Sequence, residues 1–253
     1  MKLNHSLVFI HGFMGSLHSW DRIRNQINIP SIAIDIPGHG ENCNLNSNNP
    51  YSFDDWNTDF LYNLTQKKMN KVNLCGYSMG GRLALSFALA NPQKINSLIL
   101  VSTNSGIENI SDKQIRVDKD LILMEEIKIN YSRFISNWEK LSFFNNQKKR
   151  NPVSFNLQKE IRLSQNPEQV AFSLQYLGQG KMPNYWIKLQ SINFPVLIIC
   201  GEEDQKYCDI SKRLNSKIKN SQLEIISNSG HAPQIDKENR FIKIINNFVN
   251  NEH

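Results

Sequence analysis

The chain has 253 residues, 40 % of them hydrophobic, and a formal net charge of +6. That length suits one α/β domain with an insertion, or two small domains, and the apolar content is enough for a sizeable core. The basic residues are scattered, and the one short basic run, Gln147-Lys148-Lys149-Arg150, lacks aromatic interleaving and reads as a solvated loop, so no nucleic-acid partner is expected.

Leu7-Val8-Phe9-Ile10 reads as a strand that ends in His11-Gly12-Phe13-Met14-Gly15-Ser16. Residues 20–27 suit a helix. Ser31-Ile32-Ala33-Ile34-Asp35 is the next strand, closing on Ile36-Pro37-Gly38-His39-Gly40. His39 is read as a turn residue that ties loops together, because a better-placed histidine follows later. Residues 41–51 form an Asn- and Ser-rich loop. Phe53, Trp56, Phe60, Leu61 and Leu64 recur at helical spacing and mark an amphipathic helix whose stripe belongs to the core.

Val72-Asn73-Leu74-Cys75 is apolar enough for a buried strand, and residues 82–90 read as a helix packed on the sheet. Between them stands Gly76-Tyr77-Ser78-Met79-Gly80, a Gly-x-Ser-x-Gly in the strand–turn–helix context of a nucleophile elbow. Residues 95–102 form another buried strand. Alternating strands and helices imply an α/β fold, a mostly parallel sheet with helices on both faces.

From residue 104 to 190 the texture changes. Helical patches fall at 112–129, 131–141, 154–163 and 167–177. This is too long for a loop. It reads as an inserted helical cap over the carboxyl ends of the strands, where open α/β sheets bind ligands. The core is then 1–103 and 191–253, the cap 104–190. The core resumes with Phe194-Pro195-Val196-Leu197-Ile198-Ile199-Cys200, followed by Gly201-Glu202-Glu203-Asp204. Leu223-Glu224-Ile225-Ile226 is the last strand; Gly230-His231-Ala232-Pro233 comes next, then a helix over 237–250.

Of the four cysteines, Cys75 and Cys200 fall in or beside strand-like runs and read as small core residues, not a disulfide framework. No Cys/His spacing suggests zinc, and neither a metal nor a cofactor is expected. Residues 1–6 lack a signal peptide's apolar core, and no apolar run approaches the ~18–20 residues of a membrane span. A cytoplasmic setting without a membrane partner is expected; no oligomeric state is assigned.

Ser78, Asp204 and His231 each sit just after an expected strand, in the order serine, acid, histidine. A serine hydroxyl is too weakly acidic to react alone. A histidine can take its proton, and a carboxylate fixes that histidine's tautomer. Glu202 and Glu203 compete with Asp204, which is preferred as the third position after Gly201. This order resembles that of the α/β-hydrolase fold. The resemblance implies an oxyanion hole built from the amides of Phe13, after the His-Gly turn, and Met79, after the nucleophile.

A narrower resemblance is carried by Gly76-Tyr77-Ser78-Met79-Gly80-Gly81-Arg82, with Tyr before the serine and Arg four residues after it. Together with residues 138–144, 161–174 and 177–186, it resembles the 2-succinyl-6-hydroxy-2,4-cyclohexadiene-1-carboxylate synthases of menaquinone and phylloquinone biosynthesis. Gln179, Met182 and Ser142 depart from the family pattern, where Thr, Gln and Pro are usual. The resemblance implies a cofactor-independent lyase that removes a ring proton and expels pyruvate from a small polycarboxylate. It further implies Ser78 as a base activated by His231, with Asp204 orienting His231. Arg82, Arg116 and Arg162 are implied for the carboxylates, since arginine's forked donors bind them bidentately. Tyr77 is implied to contact substrate by its hydroxyl and Trp138 by packing. Two other readings use the same residues: a serine hydrolase (an esterase or C–C bond hydrolase) acylated at Ser78, and a binding module without turnover.

Overall fold

The computed structural model describes residues 6–251 except 142, 143 and 145. Among them a six-stranded sheet is parallel throughout, in the order β2-β1-β3-β4-β5-β6. The strands are β1 (Leu7–Ile10), β2 (Ser31–Ile34), β3 (Val72–Tyr77), β4 (Ile95–Val101), β5 (Val196–Gly201) and β6 (Ser221–Ile226). Every expected strand is present. The helices are α1 (Asp21–Arg24), α2 (Phe53–Gln66), α3 (Met79–Ala90), α4 (Ile110–Ile129), α5 (Tyr131–Trp138), α6 (Gln147–Arg150), α7 (Pro152–Leu163), α8 (Pro167–Leu177), α9 (Gln205–Lys217), α10 (Pro233–Asp236) and α11 (Glu238–Asn251). Among the described residues, no helix is long and apolar enough to cross a membrane.

The period-two alternation of each central strand divides its side chains between two cores. Val8, Ile10, Leu74, Leu98, Leu100, Val196 and Ile198 face α2 and α3, meeting Trp56, Phe60, Leu83 and Phe87. Leu7, Phe9, Cys75, Ile99, Val101, Leu197 and Ile199 face the other way, meeting Trp20, Phe241, Ile245 and Phe248. Both faces are dry, so the strands read as continuous apolar runs. Each fully buried Leu, Ile or Phe adds about 1.5–3 kcal/mol relative to exposure.

Helices α4 to α8 lie between β4 and β5 in the chain. Asn109, Asn151 and Asn166 cap α4, α7 and α8, and Pro152 and Pro167 occupy first turns, where a missing N–H costs nothing. Met124, Ile127, Phe134, Val170 and Leu174 from this insertion close around Met14 of the loop after β1. That contact fixes the insertion above the strand ends.

Two expectations change. The helix over 20–27 is only a 3₁₀ turn, Leu17–Trp20, followed by the single turn of α1. Asparagine is a poor helix former, and Pro30 forces the preceding residue out of the helical region. The closing helix expected over 237–250 is α11, preceded by the single turn α10. The run 147–150 is not a solvated loop. It is the short helix α6, with Gln147 buried and Arg150 paired to both Glu203 and Asp236. Ser142 and Phe143 of the tryptophan-bearing segment lie outside the described residues.

A close backbone contact forms where β3 turns into α3. A Cβ on Gly80 would stand 2.3 Å from the His11 carbonyl oxygen and 2.4 Å from that of Ile10. Neither obstacle is a flexible side chain. Gly80→Ala is therefore expected to lower unfolding free energy by about 3 kcal/mol, read as a reduced urea midpoint with an unchanged slope.

Candidate active site

Ser78 occupies the point where β3 ends and α3 begins. Its φ of 52° and ψ of −106° lie far from helix or strand, a conformation costing about 1–3 kcal/mol in a non-glycine residue. The surroundings hold it there. Its amide donates to the Val101 carbonyl at 2.8 Å, and Thr103 Oγ1 donates to its own carbonyl at 2.8 Å. A Cβ on Gly76 would meet the Gly80 oxygen at 2.4 Å, so the turn closes only over glycine. With its backbone tied, Ser78 presents Oγ above the sheet.

His231, on the loop after β6, places Nε2 3.1 Å from Ser78 Oγ. Its Nδ1 lies 2.6 Å from Asp204 Oδ2. Asp204 is the N-cap of α9, and its other oxygen accepts the Tyr207 amide at 3.3 Å. One carboxylate thus serves two donors in fixed directions. The competing acids are engaged elsewhere: Glu202 accepts the Asn228 amide at 3.1 Å, and Glu203 pairs with Arg150. The His231 ring is flanked by Tyr207 at 4.5 Å, Tyr77 at 5.6 Å and Phe144 at 6.2 Å between centroids. With Nδ1–H donating to the carboxylate, Nε2 presents its lone pair to the serine proton.

Ser78 and His231 open into a cavity of about 470 Å³ roofed by α4, α5 and α8. Phe13 and Met79 line it beside the serine. Among the described residues, neither of their amide N–H groups is engaged in a turn or loop hydrogen bond. Arg82, one turn along α3, also lines the cavity and is 6 % exposed. Burial pulls its guanidinium down to about 10. Its Nη2 reaches the Leu177 carbonyl at 3.4 Å, while Nε meets no partner among the described residues. An unmatched buried cation is costly, and an anion removes that cost.

Arg116 lines the same wall and is aimed by two groups. Its Nε donates to Asp120 at 2.8 Å and its Nη1 to Gln179. Asp120 also accepts the Gly180 amide at 3.1 Å, tying α4 to the loop after α8. Trp138 lines the cavity as well, edge-on to Phe13 at 5.6 Å. Tyr77 and Arg162 do not reach this cavity. They border an adjoining recess of about 30 Å³ that shares Phe13 as its wall. Arg162 donates to Glu139 at 2.9 Å and lies 5.8 Å over Phe144, and burial lowers its pKa. Burial raises that of Tyr77.

Lys206 and Tyr207 complete the site without having been singled out from sequence. Both lie in the first turn of α9, which Asp204 caps, and line the cavity. Burial, and then the charge of Arg116, lower the Lys206 pKa. The signal was adjacency to a capping acid, since the first turn after such a cap faces the same way as the cap.

The α/β hydrolase fold family matches residues 5–238. A Bacillus subtilis protein assigned as a 2-succinyl-6-hydroxy-2,4-cyclohexadiene-1-carboxylate synthase is 33 % identical over 247 residues, covering 96 % of this chain and 90 % of its own. The chain belongs to the 2-succinyl-6-hydroxy-2,4-cyclohexadiene-1-carboxylate synthase family. The structure of MenH from S. aureus superposes with a TM-score of 0.93 at 33 % identity, covering 98 % of this chain and 94 % of that one. A thermophilic esterase from Thermogutta terrifontis reaches a TM-score of 0.81 at 22 % identity over 98 % and 90 % of the two chains, a likeness of fold alone. In this chain Gln179, on the loop after α8, reaches the Arg116 guanidinium.

Asp204→Asn separates the two duties of this carboxylate. Asparagine caps helices as well as aspartate does, so unfolding stability should stay within about 1 kcal/mol. The amide presents the wrong donor to His231 Nδ1, and turnover should fall on the order of 10⁴-fold. Parallel denaturation and steady-state assays read the two effects.

Proposed function

We propose that this protein is a carbon–oxygen lyase that eliminates pyruvate from 2-succinyl-5-enolpyruvyl-6-hydroxy-3-cyclohexene-1-carboxylate, giving 2-succinyl-6-hydroxy-2,4-cyclohexadiene-1-carboxylate for menaquinone or phylloquinone. One observation carries the reading. The hydrogen-bonded Ser78–His231–Asp204 set opens into a cavity walled by Arg82, Arg116 and Lys206, cations suited to a substrate with several carboxylates. Family membership supports the same reading.

In this reading His231 Nε2 takes the Ser78 proton as Ser78 Oγ removes a ring proton next to the succinyl carbonyl. Asp204 holds the imidazolium that forms. The carbonyl oxygen gains negative charge and is met by the amides of Phe13 and Met79. Electrons then move through the ring, the C–O bond to the enolpyruvyl group breaks, and the departing enolate picks up a proton to become pyruvate. No water is consumed and no metal or cofactor takes part. Arg82, Arg116 and Lys206 bind carboxylates, and Trp138 packs against the ring. Tyr77 and Arg162 act from the adjoining recess, shaping the wall behind Phe13. Residues 104–190 serve as a cap that excludes water and selects substrate over a core of 1–103 and 191–253. The free cysteines suit a cytoplasmic setting.

The test is pyruvate release from the enolpyruvyl substrate by the purified protein with no additive. Ser78→Ala and His231→Ala should each cut kcat on the order of 10³-fold; normal turnover in Ser78→Ala sinks the proposal. A burst with a trapped acyl-enzyme at Ser78 on simple esters, without pyruvate release, would instead identify a hydrolase. Arg82→Met should raise KM roughly 10- to 100-fold, the equivalent of the ~1.5–3 kcal/mol of a charged hydrogen bond. The charge of Arg82 is complete below its pKa of about 10 and is lost above it. KM should therefore climb as pH rises toward that value, and the Met variant should lack this limb.

A further inference from the structure

We propose that His11 and His39 form a reciprocal, uncharged brace that fixes the Phe13 amide in its direction toward Ser78, making both positioning residues for the oxyanion hole. This rests on the role given to the Phe13 amide above.

His11 follows β1 and His39 follows β2, and both side chains are buried. Each loop lends its ring to the other. His11 Nε2 accepts the amide of Ile36, on the loop after β2, at 3.2 Å. His39 Nε2 accepts the amide of Met14, on the loop after β1, at 3.0 Å. The second nitrogen of each ring donates within its own loop, His11 Nδ1 to the Gly12 carbonyl at 2.8 Å and His39 Nδ1 to the Pro37 carbonyl at 3.3 Å. The rings meet edge-on with centroids 5.3 Å apart, and Phe13 touches His39 at 5.9 Å.

The bonds to Gly12 and Met14 bear on Phe13 through peptide geometry. The Gly12 carbonyl and the Phe13 N–H belong to one planar trans unit, in which oxygen and hydrogen point in opposite directions. Holding that carbonyl therefore sets the direction of the Phe13 N–H. The carbonyl is held twice, by His11 and by the Gly15 amide at 3.0 Å. The next peptide unit, carrying the Met14 N–H, is held by His39. Both units that flank Phe13 are thus fixed by one histidine each. The hold has work to do, because Met14 sits at φ 59°, a left-handed conformation unfavourable to a side chain of its size.

The brace functions only with neutral rings. A backbone amide can only donate, so each Nε2 must keep its lone pair and each Nδ1 its proton. Burial supplies this, lowering His11 to about 4 and His39 to about 3. The charged or titratable neighbours are few. Asp35 lies 3.7 Å from His11 Nε2 and opposes its shift, while His11 adds to that of His39. Asp35 itself accepts the amides of Leu17 at 2.7 Å and Glu41 at 3.1 Å, holding the same two loops together.

The experiment has a spectroscopic arm and a kinetic arm. In ¹⁵N-labelled protein at neutral pH, long-range ¹⁵N–¹H spectra should show His11 and His39 uncharged and protonated on Nδ1, the rarer tautomer. A proton on Nε2 of either ring, or a charged ring, overturns the brace. In the kinetic arm, His39→Leu should lower kcat at least tenfold with KM within about twofold, since the amide at stake meets charge that develops only in the transition state. His39→Asn, whose Oδ1 can accept the Met14 amide, should restore most of that loss. Unchanged kcat in His39→Leu, or a loss appearing only in KM, overturns the positioning role. Should His39→Leu fail to fold, His39→Asn against His39→Ala makes the same comparison, since alanine offers the Met14 amide no acceptor. The tautomers are read without substrate, so wild-type protein that shows them but releases no pyruvate would fail the elimination reading and leave the brace standing.

Discussion

The elbow at Ser78 is possible only because two backbones touch. Gly80 lies directly against the carbonyls of Ile10 and His11 at the end of β1. Any side chain there would push α3 off the sheet. That contact brings the first turn of α3 and the loop after β1 into one corner, so the amides of Met79 and Phe13 can share it with Ser78 Oγ. The strain at Ser78 is tolerated because Val101 and Thr103, from the neighbouring strand β4 and its loop, hold both polar groups of its peptide backbone. The cost is met by a sheet whose four central strands are buried on both faces.

The acid and the base arrive by a different route. β5 and β6 pair in register, and their carboxyl ends release Asp204 and His231 side by side. Asp204 begins a helix, which fixes its side chain by capping, and the loop of His231 is fixed by the Gly230 amide donating to Asp236 at 2.7 Å. Arg150, from the insertion, grips both Asp236 and Glu203, the neighbour of Asp204. The insertion therefore does more than roof the cavity. It is salt-bridged to the two loops that present the acid and the base.

Buried and half-buried cations give this cavity its character. Arg82 and Arg116 line the serine's cavity, one kept partly unmatched by burial and the other aimed by Asp120 and Gln179. Their desolvation is unfavourable in isolation and becomes useful when a carboxylate arrives. The Thermogutta esterase shares the fold alone, and the chemistry of this chain lies in what lines its cavity.

The strands, the elbow, the order of serine, acid and histidine, and the presence of helices between β4 and β5 were legible in the sequence, because they are written in local signals. These are apolar runs of strand length, glycines flanking a serine, and asparagines and prolines at helix starts. The basic run 147–150 was misread because its partners, Glu203 and Asp236, are more than fifty residues away. Lys206 was passed over because its place just after a capping acid sets its direction but does not reveal the cavity it faces. The tertiary structure alone decided that Arg82 and Arg116 share the serine's cavity while Arg162 turns to Glu139. It alone decided that Asp204, and neither neighbouring glutamate, meets His231, and that two buried histidines from separate loops hold one another. Each of these is a hydrogen bond or ion pair between distant segments. Sequence specifies the donor and acceptor types, but only the packed fold fixes their distances and their dryness, on which the strength of such contacts depends.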